Sequence, residues 1–507
     1  MKETAMMIKR LMPLVAVAGL IGCEASVVPT SQGDPPAFRV FQGDVASYIL
    51  VAASANSLPR NLDRLVGAHD GVVRSLIPQI GVAVVESSNP DFISDMESTR
   101  GIQAVFPDLL LVQAPGGAIS DVETDTHNSI PAPVGTSLDG LLWGLDAVDA
   151  PAAWADGVKG AGVRIAILDA GIDETHPDLA PNLNSSLSAS FSPCLPFFGN
   201  CDGAVEDWKV RPGLFFNHGT HVSGTVAADD NGTGVTGVAP DAELVAVKVC
   251  TEFFNACFQS AILAGIVYAA DIDADLINMS LGGLNHLGSD WWMPFCREVL
   301  GLSQRECGRL ARFVVTFQDE DIRLGILPFK RAFQYAYNQG TTVIVSAGNA
   351  AIDADRSKDE WLVFADFPHV IGVSALGPVG WCLDPSVSLD ELAFYSNLGR
   401  SVIDVAAPGG NARVIPPLLD PCTKEGVTRR ALVFDAVLSS ISEGWDWAQG
   451  TSMAAPHATG IAALIIGENG GNMRPSEVER RLKALADDLG TPGTDEVYGA
   501  GRVNSGH

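Results

Sequence analysis

Three residues far apart in the chain have the types that nucleophilic catalysis needs. Asp169 closes the apolar run "VRIAILD" (163–169), with a Gly turn after it. His218 opens the small-residue stretch "HGTHVSGTVAA", and Ser452 sits in "GTSMAAPHATG". Each has a plainer explanation when taken alone. An Asp at a strand end commonly serves a turn, a lone His is commonly a hydrogen-bonded structural residue, and a Ser before an Ala-rich run caps a helix. Together they supply a complete chemistry. A serine hydroxyl attacks poorly unless a base removes its proton, and an imidazole does that work near neutrality. A carboxylate would hold the imidazole in one tautomer and stabilise its charged form. At a helix start, the Ser452 backbone N–H would face the negative charge that develops on the attacked carbonyl.

The elements that must carry these groups are legible behind them. "VRIAILD", "ELVAVKV" (243–249), "ADLINMSL" (274–281), "TTVIVSAGN" (341–349) and "VIGVSAL" (370–376) are nearly continuous apolar runs. Such runs fit strands buried on both faces, as in a parallel sheet. "QSAILAGIVYAADI" and "PFKRAFQYAYNQG" read as helices between them. Alternation of this kind predicts an α/β fold with a doubly wound, mainly parallel sheet, whose ligands sit at the carboxyl ends of the strands. Ahead of it, residues 37–112 read in the order β-α-β-β-α-β, the ferredoxin-like α+β arrangement. Its last strand is read as one run, "IQAVFPDLLLV". Residues 113–140 lack periodicity and are rich in Gly, Pro, Ser and Asp, which predicts a linker.

The blocks "LDAGIDETHPDL", "HGTHVSGTVAA", "NMSLGG", "SAGN" and "GTSMAAPHATG" resemble the signature blocks of subtilisin-like serine peptidases, in the chain order Asp, His, Ser. The resemblance runs from about Trp143 to "YGAGRVN" (498–504), so 141–507 is expected to be the catalytic domain. It implies that Asp169, His218 and Ser452 form a triad and that Asn349 of "SAGN" supplies a second oxyanion donor. It implies that Ser280, Leu281, Gly282 and Gly283 pair with extended substrate and floor its pocket. His221 and His457 are expected to be structural. The loop "AADDNGTGVTGVAP" (227–240) matches the family's calcium loop without gaps, which implies side-chain oxygens from Asp178 and Asn231 and carbonyls from Asp229, Thr233 and Val235. No organic cofactor is expected. The 37–112 unit resembles the family's inhibitory propeptide, so the partners implied are peptide substrates and the chain's own propeptide. The rival expectation is a catalytically silent binding module on the same scaffold. Two insertions, 284–327 with Trp291 and Trp292, and 410–446, stand outside the blocks and bear on specificity.

Composition bounds the rest. At 507 residues the chain exceeds one typical domain. Its formal charge of −28 argues against nucleic acid as a partner, since phosphate neutralisation needs clustered Lys and Arg. Lys2, Lys9 and Arg10 precede an apolar run, 11–22, that is too short to span a bilayer but suits a signal sequence. "LIGC" resembles a bacterial lipobox, which implies lipidation of Cys23 after cleavage of the signal peptide, a tether over 24–36, and an exported protein, either anchored at the cell envelope or released after propeptide removal. Setting Cys23 aside leaves eight cysteines, an even number that suits export. Proximity suggests Cys194–Cys201, Cys250–Cys257 and Cys296–Cys307, with Cys382–Cys422 remaining, although many other pairings are possible.

Overall fold

The structure is a computed structural model. It describes residues 45–108, 110–112, 129–131, 135–192, 208–210, 217–251, 256–281, 319–356 and 364–507. The signal segment with Cys23, the 24–36 tether, Cys194, Cys201, Cys296, Cys307, Gly282, Gly283 and most of the first insertion lie outside these residues.

The small N-terminal unit runs β1 (Ala46–Ala52), α1 (Leu62–Gly67), β2 (Gly71–Ile77), β3 (Val82–Ser87), α2 (Phe92–Glu97) and β4 (Ile102–Pro107). Its sheet order is β2-β3-β1-β4, antiparallel throughout. This is the expected ferredoxin-like unit, with its own core of Leu50, Val66, Val85, Phe92, Met96 and Val105. The final run differs from expectation. It breaks at Asp108, and a separate strand, β5 (Leu110–Val112), leaves the small sheet. The expected linker also holds a short strand, β6 (Ile130–Pro131).

The larger unit contains α3 (Trp143–Ala147), α4 (Ala150–Ala155), β7 (Arg164–Asp169), β8 (Ala189–Ser190), α5 (His218–Ala227), β9 (Glu243–Lys248), β10 (Ala256–Phe258) and α6 (Gln259–Asp271). It continues with β11 (Leu276–Met279), α7 (Asp319–Gln339), β12 (Thr342–Ser346), β13 (Val370–Leu376) and β14 (Val405–Pro408). The hairpins β15 (Pro421–Lys424)–β16 (Val427–Arg430) and β17 (Val437–Ile441)–β18 (Gly444–Ala448) follow, then α8 (Thr451–Glu468) and α9 (Pro475–Leu485). Seven strands form one sheet in the order β14-β13-β12-β11-β7-β9-β8, every pairing parallel. β11, β12, β13 and β14 are buried at every residue, which is why their sequences lack alternation.

α8 is buried from Thr451 to Ile466 and packs against β11, β12, β13, β14 and α5. Small residues allow that approach. A Cβ on Gly460 would stand 2.4 Å from the Val238 Cβ. Gly460→Ala is therefore expected to destabilise the protein. Overpacking costs about 1–3 kcal/mol, against about 1 kcal/mol recovered in helix propensity. The check is denaturant unfolding, and a midpoint at or above that of the parent would contradict the packing.

Candidate active site

β7 ends on Asp169 and α5 begins on His218, so a strand terminus and a helix terminus meet. Asn217 is the helix N-cap. Its Oδ1 accepts from the Thr220 N–H at 2.7 Å and the Thr220 hydroxyl at 2.8 Å, which sets where the first turn starts. Gly219 allows the two elements to touch, because a Cβ there would lie 2.2 Å from the Gly171 carbonyl oxygen. The His218 ring donates from Nδ1 to Asp169, 2.8 Å from Oδ2 and 3.0 Å from Oδ1. Asp169 Oδ1 also accepts the Ala170 N–H at 2.7 Å. With Nδ1 given to a carboxylate, the neutral ring keeps its lone pair on Nε2. That atom is buried and has no hydrogen-bond partner among the described residues.

Ser452 is the second residue of α8, whose first turn carries backbone N–H groups with no intrahelical acceptor. Its hydroxyl donates to the Ser280 carbonyl at 3.2 Å, and the Ser280 hydroxyl donates back to the Ser452 carbonyl at 2.7 Å. The structure thus joins Asp169 to His218 but turns the Ser452 hydroxyl onto Ser280, not onto Nε2. A buried chain holds Ser280 in place. The Thr459 hydroxyl donates to Asn278 Oδ1 at 2.8 Å, and Asn278 Nδ2 donates to Ser280 Oγ at 3.0 Å.

Asn349 follows β12. Its Oδ1 accepts from both the N–H and the hydroxyl of Thr451, each at 2.8 Å, while Thr451 Oγ1 accepts the Gly348 N–H at 3.0 Å. A backbone N–H cannot accept, so these bonds determine which end of the amide faces Thr451 and leave the Asn349 NH2 as the other end. Thr451 was not among the expected site residues, although it adjoins Ser452. Ser280 and Leu281 are buried at the end of β11. Two buried histidines, His221 and His457, are held neutral. Burial pushes His221 down to about 3 and His457 to about 4. His221 Nε2 lies 3.1 Å from the Asp446 carbonyl and 3.2 Å from that of Val437, and His457 Nδ1 lies 2.8 Å from the Met453 carbonyl. The second insertion thus reaches α5 through Val437 of β17.

The small unit meets this region along β5. β5 pairs antiparallel with β10, matching Leu110 with Phe258, Leu111 with Cys257 and Val112 with Ala256. Just before it, Asp108 accepts the Ser260 N–H at 3.0 Å and the Ser260 hydroxyl, at the first turn of α6. Arg331 of α7 donates to the carbonyls of Ala52 (3.0 Å), Ile80 (3.2 Å) and Ser54 (3.3 Å), and to Gln103 Oε1 (3.0 Å). The strand β10 escapes sequence reading because three residues are too few to show a period.

The loop expected to hold calcium is arranged around proton donors. Asp178 Oδ2 accepts the Trp445 indole N–H at 2.6 Å and the Val235 N–H at 3.0 Å. Asn231 Oδ1 accepts the N–H and hydroxyl of Thr233, at 2.9 Å and 2.7 Å, which turns its NH2 end toward Asp178. The Asp229 carbonyl accepts the Asn231 N–H at 2.9 Å. Asp178 Oδ1 is buried without a hydrogen-bond partner among the described residues, and burial raises that carboxyl above its ordinary range. Calcium wants six to eight oxygens, and Asp178 Oδ1 is an oxygen this loop leaves open. Two of the cysteine pairs are formed, Cys250–Cys257 and Cys382–Cys422.

The sequence profile described as "Subtilase family" matches residues 160–501. Fervidolysin of Fervidobacterium pennivorans is 27% identical over 459 residues, which is 87% of this chain and 56% of the relative. This chain therefore spans little more than half of fervidolysin's length. Subtilisin NAT of Bacillus subtilis subsp. natto is 30% identical over 362 residues, 71% of this chain and 69% of the relative. Among solved structures, the epidermin leader peptide processing serine protease of Staphylococcus aureus superposes with a TM-score of 0.67 at 19% identity. That match covers 92% of this chain and 97% of the other, a likeness of fold.

Two outcomes follow from this geometry. Exchanging calcium for a chelator decides whether this loop holds an ion: an unchanged thermal midpoint would count against one, because nothing bound to the native state would have been removed. A fall of several degrees would show the loop closing on an ion. The second concerns Asp108, whose carboxyl burial raises from 3.8 to about 6, outweighing the bonds from Ser260. A raised acid favours the docked state when protonated, so its contribution is full below about 4 and is lost as pH rises through about 6. Hydrogen exchange of β4 and β5 in a Ser452→Ala chain should slow on acidification across that window. Asp108→Asn should flatten the dependence, and an unchanged pH profile in that variant would contradict the assignment.

Proposed function

Because this chain belongs to the subtilase family, we propose that it is a serine endopeptidase made as an inactive precursor. The observation that carries the reading is His218, bound through Nδ1 to a buried carboxylate and open at a buried Nε2. Rotation of the Ser452 side chain away from the Ser280 carbonyl would let its hydroxyl donate to that nitrogen. Ser452 Oγ then attacks the scissile carbonyl carbon as its proton passes to His218 Nε2, and Asp169 stabilises the imidazolium. The new oxyanion is met by the Ser452 N–H and the free amide end of Asn349. His218 passes its proton to the departing amine as the C–N bond breaks, leaving an acyl-enzyme that water hydrolyses by the same route reversed. A catalytically silent binding module would have no use for a buried, unpartnered Nε2.

Substrate would lie extended, adding a strand beside β10 and beside the segment 280–283. The pairing of β5 with β10 supports this, and it also supports inhibition, since the small unit's own tail then occupies the edge that substrate needs. Cleavage within 113–140 would release it. Export is supported by the signal-like segment before Cys23 and by two disulfides, which persist in oxidising compartments. A lipid on Cys23 would tether the precursor at the cell envelope until that cleavage. Among the described residues no helix is long and apolar enough to cross a membrane.

The test compares the full chain with its variants on a quenched peptide and by mass. The parent should cleave the peptide and shorten itself within 113–140. Ser452→Ala should do neither, and Asn349→Ala should lose about 10²–10³ in kcat. Normal self-shortening by Ser452→Ala would overturn the proposal.

A further inference from the structure

β10 is an exception among the strands of the larger unit. Among the described residues it hydrogen-bonds to no strand except β5, which belongs to the small unit. Once that tail has left, these three residues lose the named strand they pair with among the described residues. Two covalent ties stay. On one side the chain enters α6 directly, at Gln259. On the other, Cys257 is bonded to Cys250, seven residues earlier, and the two also form an isolated antiparallel bridge. Both cysteines are buried.

The far end of this staple is tied to the catalytic region. The Cys250 N–H donates to the Asp169 carbonyl at 3.2 Å, and the neighbouring Val249 N–H donates to the same oxygen at 2.9 Å. Strand pairing, a disulfide and hydrogen bonds thus link Leu111, through Cys257 and Cys250, to the backbone of the residue that holds His218. The disulfide closes a short ring, so it limits the conformations of the strand before any peptide arrives. A peptide adding to a free three-residue segment would have to bear the cost of ordering it. One adding to a stapled segment does not.

We infer that the Cys250–Cys257 disulfide pre-organises β10 as the peptide-binding edge and holds it in register with Asp169. The inference rests on the peptidase reading above. The cysteines are positioning residues that act through backbone and touch no reacting atom. Their effect therefore falls on the binding of extended peptides, and the chemistry at Ser452 is left alone.

The experiment removes both cysteines together, as Cys250→Ser/Cys257→Ser, so that no lone thiol is left. Cys250→Ala/Cys257→Val, which keeps the apolar volume, serves where the serine pair does not fold. Two substrates are compared: a peptide with at least four residues before the scissile bond, and a single-residue ester. The long peptide should lose ~10-fold in kcat/KM, carried by KM. The ester and the rate of labelling by a fluorophosphonate should stay within about 2-fold. Equal losses on both substrates, or none on either, would overturn the inference while leaving the peptidase reading intact. A parent chain that turns over neither substrate would overturn that reading instead. Hydrogen exchange then decides the staple by itself, in the full Ser452→Ala chain. Removing the disulfide should cut protection at 110–112 and 256–258 while β11 and β12 keep theirs. A uniform loss, or no loss, would overturn it.

Discussion

A carboxylate taken out of water must be met by donors, and Asp169 is met by the His218 ring and the Ala170 N–H. Much of the architecture serves that contact. β7 carries the carboxylate to the end of the central sheet, and Asn217 sets the first turn of α5 so that the imidazole starts it. Gly219 removes the side chain that would push the helix away. The cost of burying the pair is offset by these hydrogen bonds, which also fix the tautomer and leave Nε2 as the open end. The Ser452 hydroxyl rests on the Ser280 carbonyl. The Thr451–Asn349 clasp joins α8, which carries Ser452, to the turn after β12.

The second organising contact is the small unit's hold on the larger one. It uses three kinds of bond at once: strand addition at β10, the Asp108 carboxylate at the first turn of α6, and the Arg331 guanidinium gathering carbonyls from separate turns. Strand addition is indifferent to side chains. The Asp108 and Arg331 contacts need those two charged side chains, so they add a side-chain requirement that strand addition lacks. In the function proposed above, a segment bound in this way would lie where an extended substrate would lie.

Part of this was legible in the sequence, for physical reasons. Strands buried on both faces must be apolar throughout, so β7, β9, β11, β12 and β13 announced themselves, and the residues at their ends followed. What escaped depended on partners distant in the chain. β5 reads as a continuation of β4, because its true partner lies nearly 150 residues on and Asp108 looks like any turn residue. β10 is too short to carry a pattern. The calcium-type loop matched by local sequence, but the match could not show that Trp445 arrives on a later hairpin and presents an N–H to Asp178. Local spacing reports local geometry well and says little about which remote side chain fills the remaining space.

The most direct test of the central claim is to locate the activated hydroxyl. The processed protein is treated with a fluorophosphonate, and the adduct is mapped by peptide mass. The account predicts one modified residue, Ser452, with labelling lost in His218→Ala although that variant stays folded. An adduct elsewhere, no adduct at all, or undiminished labelling without the imidazole would contradict it.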